Sequence, residues 1–116
     1  MIVTDAQKQL ISVTVYGEFA LADFKEFEEQ VNFKIKFERA LNLLFDLRQM
    51  SGFTLDVAWE EVQFARAHVH DFHRIAVLTL SQWMAWSAWL SQNFVDAEVR
   101  VFEDEAEARD WLEQSA

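Results

Sequence analysis

The chain of 116 residues combines a high apolar content with an excess of acidic side chains. Hydrophobic residues make up 52% of it, which excludes intrinsic disorder, and the length fits a single domain over residues 1–116. The absence of cysteine excludes disulfides, thiol catalysis and cysteine-ligated metal sites. The formal net charge of -10 argues against nucleic-acid binding and against electrostatic docking on anionic membranes, because both need clustered cations.

No targeting or membrane-spanning segment is predicted. The first ten residues include Asp5, Gln7 and Lys8 and lack the apolar run of a signal peptide. No apolar stretch reaches the ~20 residues that a membrane-spanning helix needs. The simplest prediction is therefore a cytoplasmic protein.

The hydrophobic pattern alternates between strand and helix along the chain. Alternating β-branched residues predict a strand over 10–16, closed by Gly17, and a short strand over 2–4 would add an antiparallel edge. Apolar residues at helical spacing then predict a first helix from residue 21; they are Phe24, Phe27, Val31 and Ile35. Nearly continuous apolar runs over 41–47 and 75–80 predict two strands buried on both faces.

Turn and cap residues separate the remaining elements. Gly52 marks a turn, and Thr54 is suited to cap a second helix that continues to about residue 69. Ser81 is suited to cap a third helix over 82–94, and a last strand over 98–102 precedes a helix from about 104 to 113. Strands separated by helices require right-handed crossovers. We therefore predict an α/β fold with a mixed, mostly parallel sheet of four to five strands, flanked by about four helices.

Short segments in a fixed order between residues 15 and 112 carry a family resemblance. They include Val15-Tyr16-Gly17-Glu18, Leu44-Phe45-Asp46-Leu47, Ser51-Gly52-Phe53-Thr54, Ala58-Trp59-Glu60 and Arg74-Ile75-Ala76-Val77. This set resembles the SpoIIAA-like family, which has the STAS fold of anti-sigma-factor antagonists and some likeness to SEC14/CRAL-TRIO lipid-binding domains. The resemblance implies one STAS-like domain with a binding or regulatory role.

The resemblance also singles out Ser51 as a candidate phosphorylation site. In anti-sigma-factor antagonists an Asp-Ser-Ser-Gly turn opens the second helix, and a kinase phosphorylates one of its serines. The matching segment here, residues 49–53, has one serine and no preceding aspartate. Ser51 and Gly52 also fall where a strand is expected to end and a helix to begin, an edge at which parallel sheets bind ligands. The alternative is a turn serine beside a glycine that the backbone requires.

Three histidines and a group of tryptophans are the other candidate binding residues. His68 and His70 would point about 200° apart on a helix, so a metal site is not predicted from them and His73; a polar helix end explains all three. His68 matches a family position and is retained as a candidate polar group. Trp83, Trp86 and Trp89 recur every three residues on one helix face, and at least one of them is expected to be exposed or to line a cavity.

Two further groups of residues have simpler explanations. The acidic start of the last helix predicts a solvated face, and it contains Glu103, Asp104, Glu105 and Glu107. Phe33 and Phe37 lie off the apolar stripe of the first helix, and three explanations are open: the end of the helix, a second apolar surface or a homodimer contact.

These patterns together favour a non-enzymatic binding or regulatory module without a metal or cofactor. Its expected cleft lies at the carboxyl ends of the strands and is formed by Ser51, Gly52, Trp59, His68, Trp83 and Trp86. The expected partner is an apolar or lipid-like small molecule or a protein surface. The alternatives are an anti-sigma-factor-antagonist-type protein regulated at Ser51 and, from another class, an enzyme that uses His68 with a carboxylate.

Overall fold

A five-stranded sheet forms the centre of the structure, a computed structural model that describes residues 1–7, 9–36, 41–54, 63, 72–79 and 97–114. In chain order the elements are β1 (Ile2–Gln7), β2 (Leu10–Val15), β3 (Gly17–Phe19), α1 (Leu21–Ile35), β4 (Leu41–Asp46), β5 (Met50–Phe53), β6 (Phe72–Leu78), β7 (Glu98–Phe102) and α2 (Glu105–Glu113). The large sheet has the order β1-β2-β4-β6-β7, and β3 pairs with β5 in a separate two-stranded sheet.

The pairing of the strands confirms the predicted mixed, mostly parallel sheet. β1 runs antiparallel to β2, whereas β2, β4, β6 and β7 are parallel to one another. The alternation in β2 explains its placement, because Ile11, Val13 and Val15 are fully buried while Ser12 and Thr14 are half-buried.

The two described helices cover opposite faces of the large sheet. On one face α1 buries Phe24, Phe27 and Val31 in the same cluster as the odd-numbered residues of β2. On the other face α2 packs Ala108, Trp111 and Leu112 against apolar residues of β4 and β6, namely Leu44, Ala76 and Leu78. The nearly continuous apolar run of β4 is thus explained by burial on both faces, as predicted.

Polar side chains of the strands fix the carboxyl end of α2. Asn42 Nδ2 donates to the Leu112 carbonyl at 3.3 Å, and Arg74 Nη1 donates to the Trp111 carbonyl at 2.6 Å. The Arg74 guanidinium also lies 4.7 Å from the centre of the Trp111 ring. These bonds satisfy carbonyl groups that would otherwise lack a partner at the end of the helix.

The two described helices match the first and the last of the predicted ones. The N-cap of α2 is Asp104, whose side chain accepts a hydrogen bond from the Glu107 backbone N–H. Gln63 is helical, but the rest of 55–69 and all of the predicted helix over 82–94 lie outside the described residues. About four helices are therefore not confirmed. No described helix has the length and apolarity needed to cross a membrane.

The structure corrects two predictions of local structure. Gly52 lies inside β5 rather than in a turn, and a Cβ atom there would meet no atom within 4 Å, so the backbone does not require a glycine. Gly17 has that role instead, because its φ of 70° joins β2 to β3. β6 begins at Phe72, three residues before the predicted start, so His73 is an exposed strand residue and not part of a helix end.

Candidate functional site

No described element covers the sheet face beneath α2 where it extends over β1 and β2. α2 contacts β4, β6 and β7, the three strands farthest from β1 in the strand order of the sheet. Directly paired residues of antiparallel strands share a face, which places Val3 and Thr14 together. We call this surface the open face; its members are Met1, Val3, Asp5, Ser12, Thr14 and Tyr16. Met1, Val3 and Tyr16 are 69%, 49% and 44% exposed, respectively.

A polar cavity of about 310 Å³ joins the open face to the beginning of α2. It lies at the carboxyl ends of β2 and β4, the edge at which the sequence predicts a cleft. Its lining consists of Ser12, Val13, Thr14, Tyr16, Leu44, Asp46, Arg48, Gln49, Glu105 and Arg109. Most of these side chains carry hydroxyl, amide or charged groups, so the cavity suits polar groups better than a lipid chain.

Arg48 connects the end of β4 to the first turn of α2. Its Nε and Nη2 atoms donate to the two carboxylate oxygens of Asp46 at 3.0 and 2.8 Å, and Nη2 also donates to Glu105 Oε1 at 2.9 Å. The Arg48 backbone N–H donates to Asp46 Oδ1 at 3.1 Å, which closes a tight local loop. The hydrogen bond to Asp46 is the main reason that the pKa of Arg48 is raised, with a smaller effect of Glu105.

Glu105 is shared between two arginines. Arg109, one turn later in α2, donates from Nε to Glu105 Oε2 at 2.9 Å. This hydrogen bond, followed by the interaction with Arg48, holds the pKa of Glu105 below its ordinary value of 4.5. Glu103, Asp104 and Glu107 are exposed as predicted for a solvated face, whereas Glu105 belongs to a network. Because two carboxylates balance two guanidinium groups, the cavity is locally neutral within a chain of net charge -10.

Ser51 lies near this cavity but does not line it. The register of β3 and β5 shifts so that Gly17 pairs with Met50 and Glu18 with Gly52, which leaves Ser51 as the extra residue of a β-bulge. Ser51 is exposed and follows the cavity residue Gln49 by two positions.

The remaining predicted site residues are not among those that the structure describes. Of the predicted cleft, only Ser51 and Gly52 are described; Trp59, His68, Trp83 and Trp86 lie outside the described residues. Within the described ranges, no group of three or more histidine, aspartate or glutamate residues is arranged to hold a metal ion.

Comparisons with known proteins give one matching family model and solved structures with a similar fold. A family model described as SpoIIAA-like matches residues 10–113. An uncharacterised protein from Shewanella loihica with a SpoIIAA-like fold is similar with a TM-score of 0.77 and 20% sequence identity, over 97% of this chain and 92% of that one. The anti-sigma factor antagonist SpoIIAA, in its unphosphorylated form, is similar with a TM-score of 0.65 and 11% identity, over 97% of this chain and 98% of that one.

These findings carry different weight. A search of curated proteins gave no match. The two solved structures are so distant in sequence that they show a shared fold and nothing more. The family model covers most of the chain, and together with the fold it establishes that the chain belongs to the SpoIIAA-like family.

Proposed function

We propose that the chain is a non-catalytic regulatory module that binds a partner protein at the carboxyl ends of β2 and β4. The observation that carries this proposal is the exposed Tyr16 ring beside a neutral cavity that contains Arg48 and Arg109. Tyrosine and arginine are enriched at the centres of protein interfaces, where one side chain combines apolar contact with hydrogen bonding. The shared fold with an anti-sigma factor antagonist supports a role in protein–protein regulation.

The chemistry of the cavity favours a protein partner over an apolar ligand. A lipid-like chain would bring no hydrogen bonds to the hydroxyl groups of Ser12, Thr14 and Tyr16, so their lost hydration would be uncompensated. A protein segment offers both donors and acceptors to these groups. The proposal for an apolar ligand depends on Trp59, Trp83 and Trp86, which the structure does not describe.

Site-specific photo-crosslinking in the native cell tests the partner site. A benzophenone amino acid in place of Tyr16 is expected to give a discrete crosslinked protein band, because the side chain would face the partner. The matched control is the same replacement at Phe33, another exposed aromatic residue, which lies on α1 and therefore on the opposite sheet face. Equal adducts at both positions, or an adduct at Phe33 alone, would contradict the proposed site.

Phosphorylation of Ser51 is a second candidate function, and the β-bulge favours it. A bulged residue lies outside the regular strand pairing, and the exposed hydroxyl of Ser51 is open to a kinase. A phosphate there would add a charge of about -2 beside the partner site.

Intact-mass analysis of the protein from its native cell tests this candidate. The added mass of one phosphate is expected in the wild type and in Ser12→Ala, and it should be lost in Ser51→Ala. Ser12 is a suitable control because it is the other described serine and is half-buried in β2. Wild-type protein without phosphate under every growth condition would rule the candidate out.

A further inference from the structure

β1 is an edge strand whose outer backbone groups face away from the sheet. The Tyr16 N–H donates to the Met1 carbonyl at 2.8 Å, and the Met1 nitrogen donates to the Tyr16 carbonyl at 3.2 Å. Antiparallel pairing alternates, so Val3 and Asp5 also bond inward to β2. The N–H and C=O groups of Ile2, Thr4 and Ala6 therefore point outward, and the described part of the chain provides no partner for them.

Among the described residues, β1 also has few of the features that usually protect an edge strand. Its register with β2 runs without a bulge, it contains no proline, and Asp5 is its one charged residue. The opposite edge is different, because β7 carries Glu98 and Arg100, and Glu98 is paired with Arg74 at 3.1 Å. Of the two edges of the large sheet, β1 is thus the one prepared to accept another strand.

We propose that two copies of this chain pair antiparallel along β1, about a two-fold axis at Thr4, and form one continuous sheet. In this register Thr4 of one chain lies opposite Thr4 of the other, and Ile2 of each chain lies opposite Ala6 of the other. The two residues of each such pair exchange two backbone hydrogen bonds, because their N–H and C=O groups face outward from β2. The pairing uses the outer edge of β1 and stands independently of the proposed partner site.

The charges of β1 are compatible with this register. Asp5 lies opposite Val3 of the other copy, so no like charges face each other directly across the axis. The net charge of -10 on each chain opposes association at long range, and salt screens that repulsion. The two Asp5 residues are diagonal neighbours in this register, so the dimer is expected to become stronger as salt concentration rises.

Analytical ultracentrifugation and amide hydrogen exchange of the full chain test the dimer directly. Analytical ultracentrifugation over a range of protein concentrations is expected to show a monomer–dimer equilibrium. Hydrogen exchange at the Thr4 and Ala6 amides should slow as the dimer forms, while exchange at Val3 and Asp5 stays constant because these amides bond to β2 in both states. A monomer at all concentrations, or a dimer without this alternation, would overturn the proposal.

Substitutions in β1 test the register. Thr4→Pro removes the N–H at the axis from both copies but leaves the bonds to β2 intact, so dimer affinity should fall on the order of tenfold or more. Val3→Lys should strengthen the dimer because the lysine would face Asp5 of the other copy, and Val3→Glu should weaken it. These two variants test the register even if Thr4→Pro fails to fold. Gln30→Lys and Gln30→Glu make the same charge changes on an exposed position of α1. A shift at Gln30 as large as that at Val3 would contradict the register.

Discussion

Replacing Phe27 by alanine is expected to lower the free energy of unfolding by about 3–5 kcal/mol. Phe27 is completely buried in α1, and its ring centre lies 5.8 Å from that of Phe24 and 5.0 Å from that of Phe45. It therefore joins the helix to β4, the middle strand of the sheet. Alanine would remove this contact and leave a cavity, because close-packed neighbours relax only in part. Equilibrium urea unfolding, followed by circular dichroism, measures the loss.

Phe33→Ala is the matched control for this substitution. Phe33 belongs to the same helix but is 63% exposed, so its truncation is expected to change stability by about 0.5 kcal/mol or less. Similar losses in the two variants would show that α1 does not pack on the sheet through the Phe24, Phe27 and Val31 face.

Replacing Arg48 by methionine is expected to cost about 1–3 kcal/mol of stability, the second largest effect. The Asp46 side chain is 12% exposed. Without the guanidinium group, its carboxylate would keep the hydrogen bond from the backbone N–H of residue 48 but would lose its balancing charge. Arg48 itself is 33% exposed, which places the expected cost below that of a fully buried ion pair. The same substitution would release the end of β4 from Glu105 at the start of α2.

A control and a rescue separate the network from a general effect of losing an arginine. Arg100→Met removes a cation near the Phe102 and Trp111 rings, at 5.6 and 5.7 Å, and should cost about 1 kcal/mol or less. Adding Asp46→Asn to the Arg48→Met variant removes the unbalanced carboxylate and should restore part of the lost stability. Thermal unfolding of the four proteins provides the comparison, and the absence of any rescue would contradict a role for the buried charge.

Local sequence patterns were sufficient to predict the elements of the large sheet. β2 alternates between apolar and polar residues, β4 is apolar except for Asn42 and Asp46, and α1 has apolar residues at helical spacing. Each pattern reflects burial of one or both faces, so it is visible in a single segment. β3 and β5 were missed because strands of three and four residues are too short to show a period, and Gly52 resembled a turn signal. The start of β6 was missed because His73 and Arg74 interrupt its apolar run.

The sequence named the edge of the sheet at which the cavity lies, but Ser51 and Gly52, the described residues of the predicted cleft, do not line it. A parallel sheet concentrates ligand sites at the carboxyl ends of its strands, and the cavity does lie there. Its central contact joins Arg48 to Glu105 across 57 positions, and no local pattern links residues so far apart in sequence. The spacing of Glu105 and Arg109, four residues apart on a helix, was the one available signal for the network.

The position of α2 at the far end of the described chain has a consequence for protein synthesis. Asn42 in β4 meets its partner carbonyl at Leu112 only after 70 further residues have been added. At ribosomal rates of about 5–20 residues per second, that interval lasts roughly 4–14 s. The apolar face formed by Leu44, Ala76 and Leu78 is complete once Leu78 has been added, and during synthesis of the next 34 residues, roughly 2–7 s at the same rates, it has no Trp111 or Leu112 to cover it. The nascent chain therefore passes through a stage of several seconds in which chaperone binding to this face would protect it from aggregation.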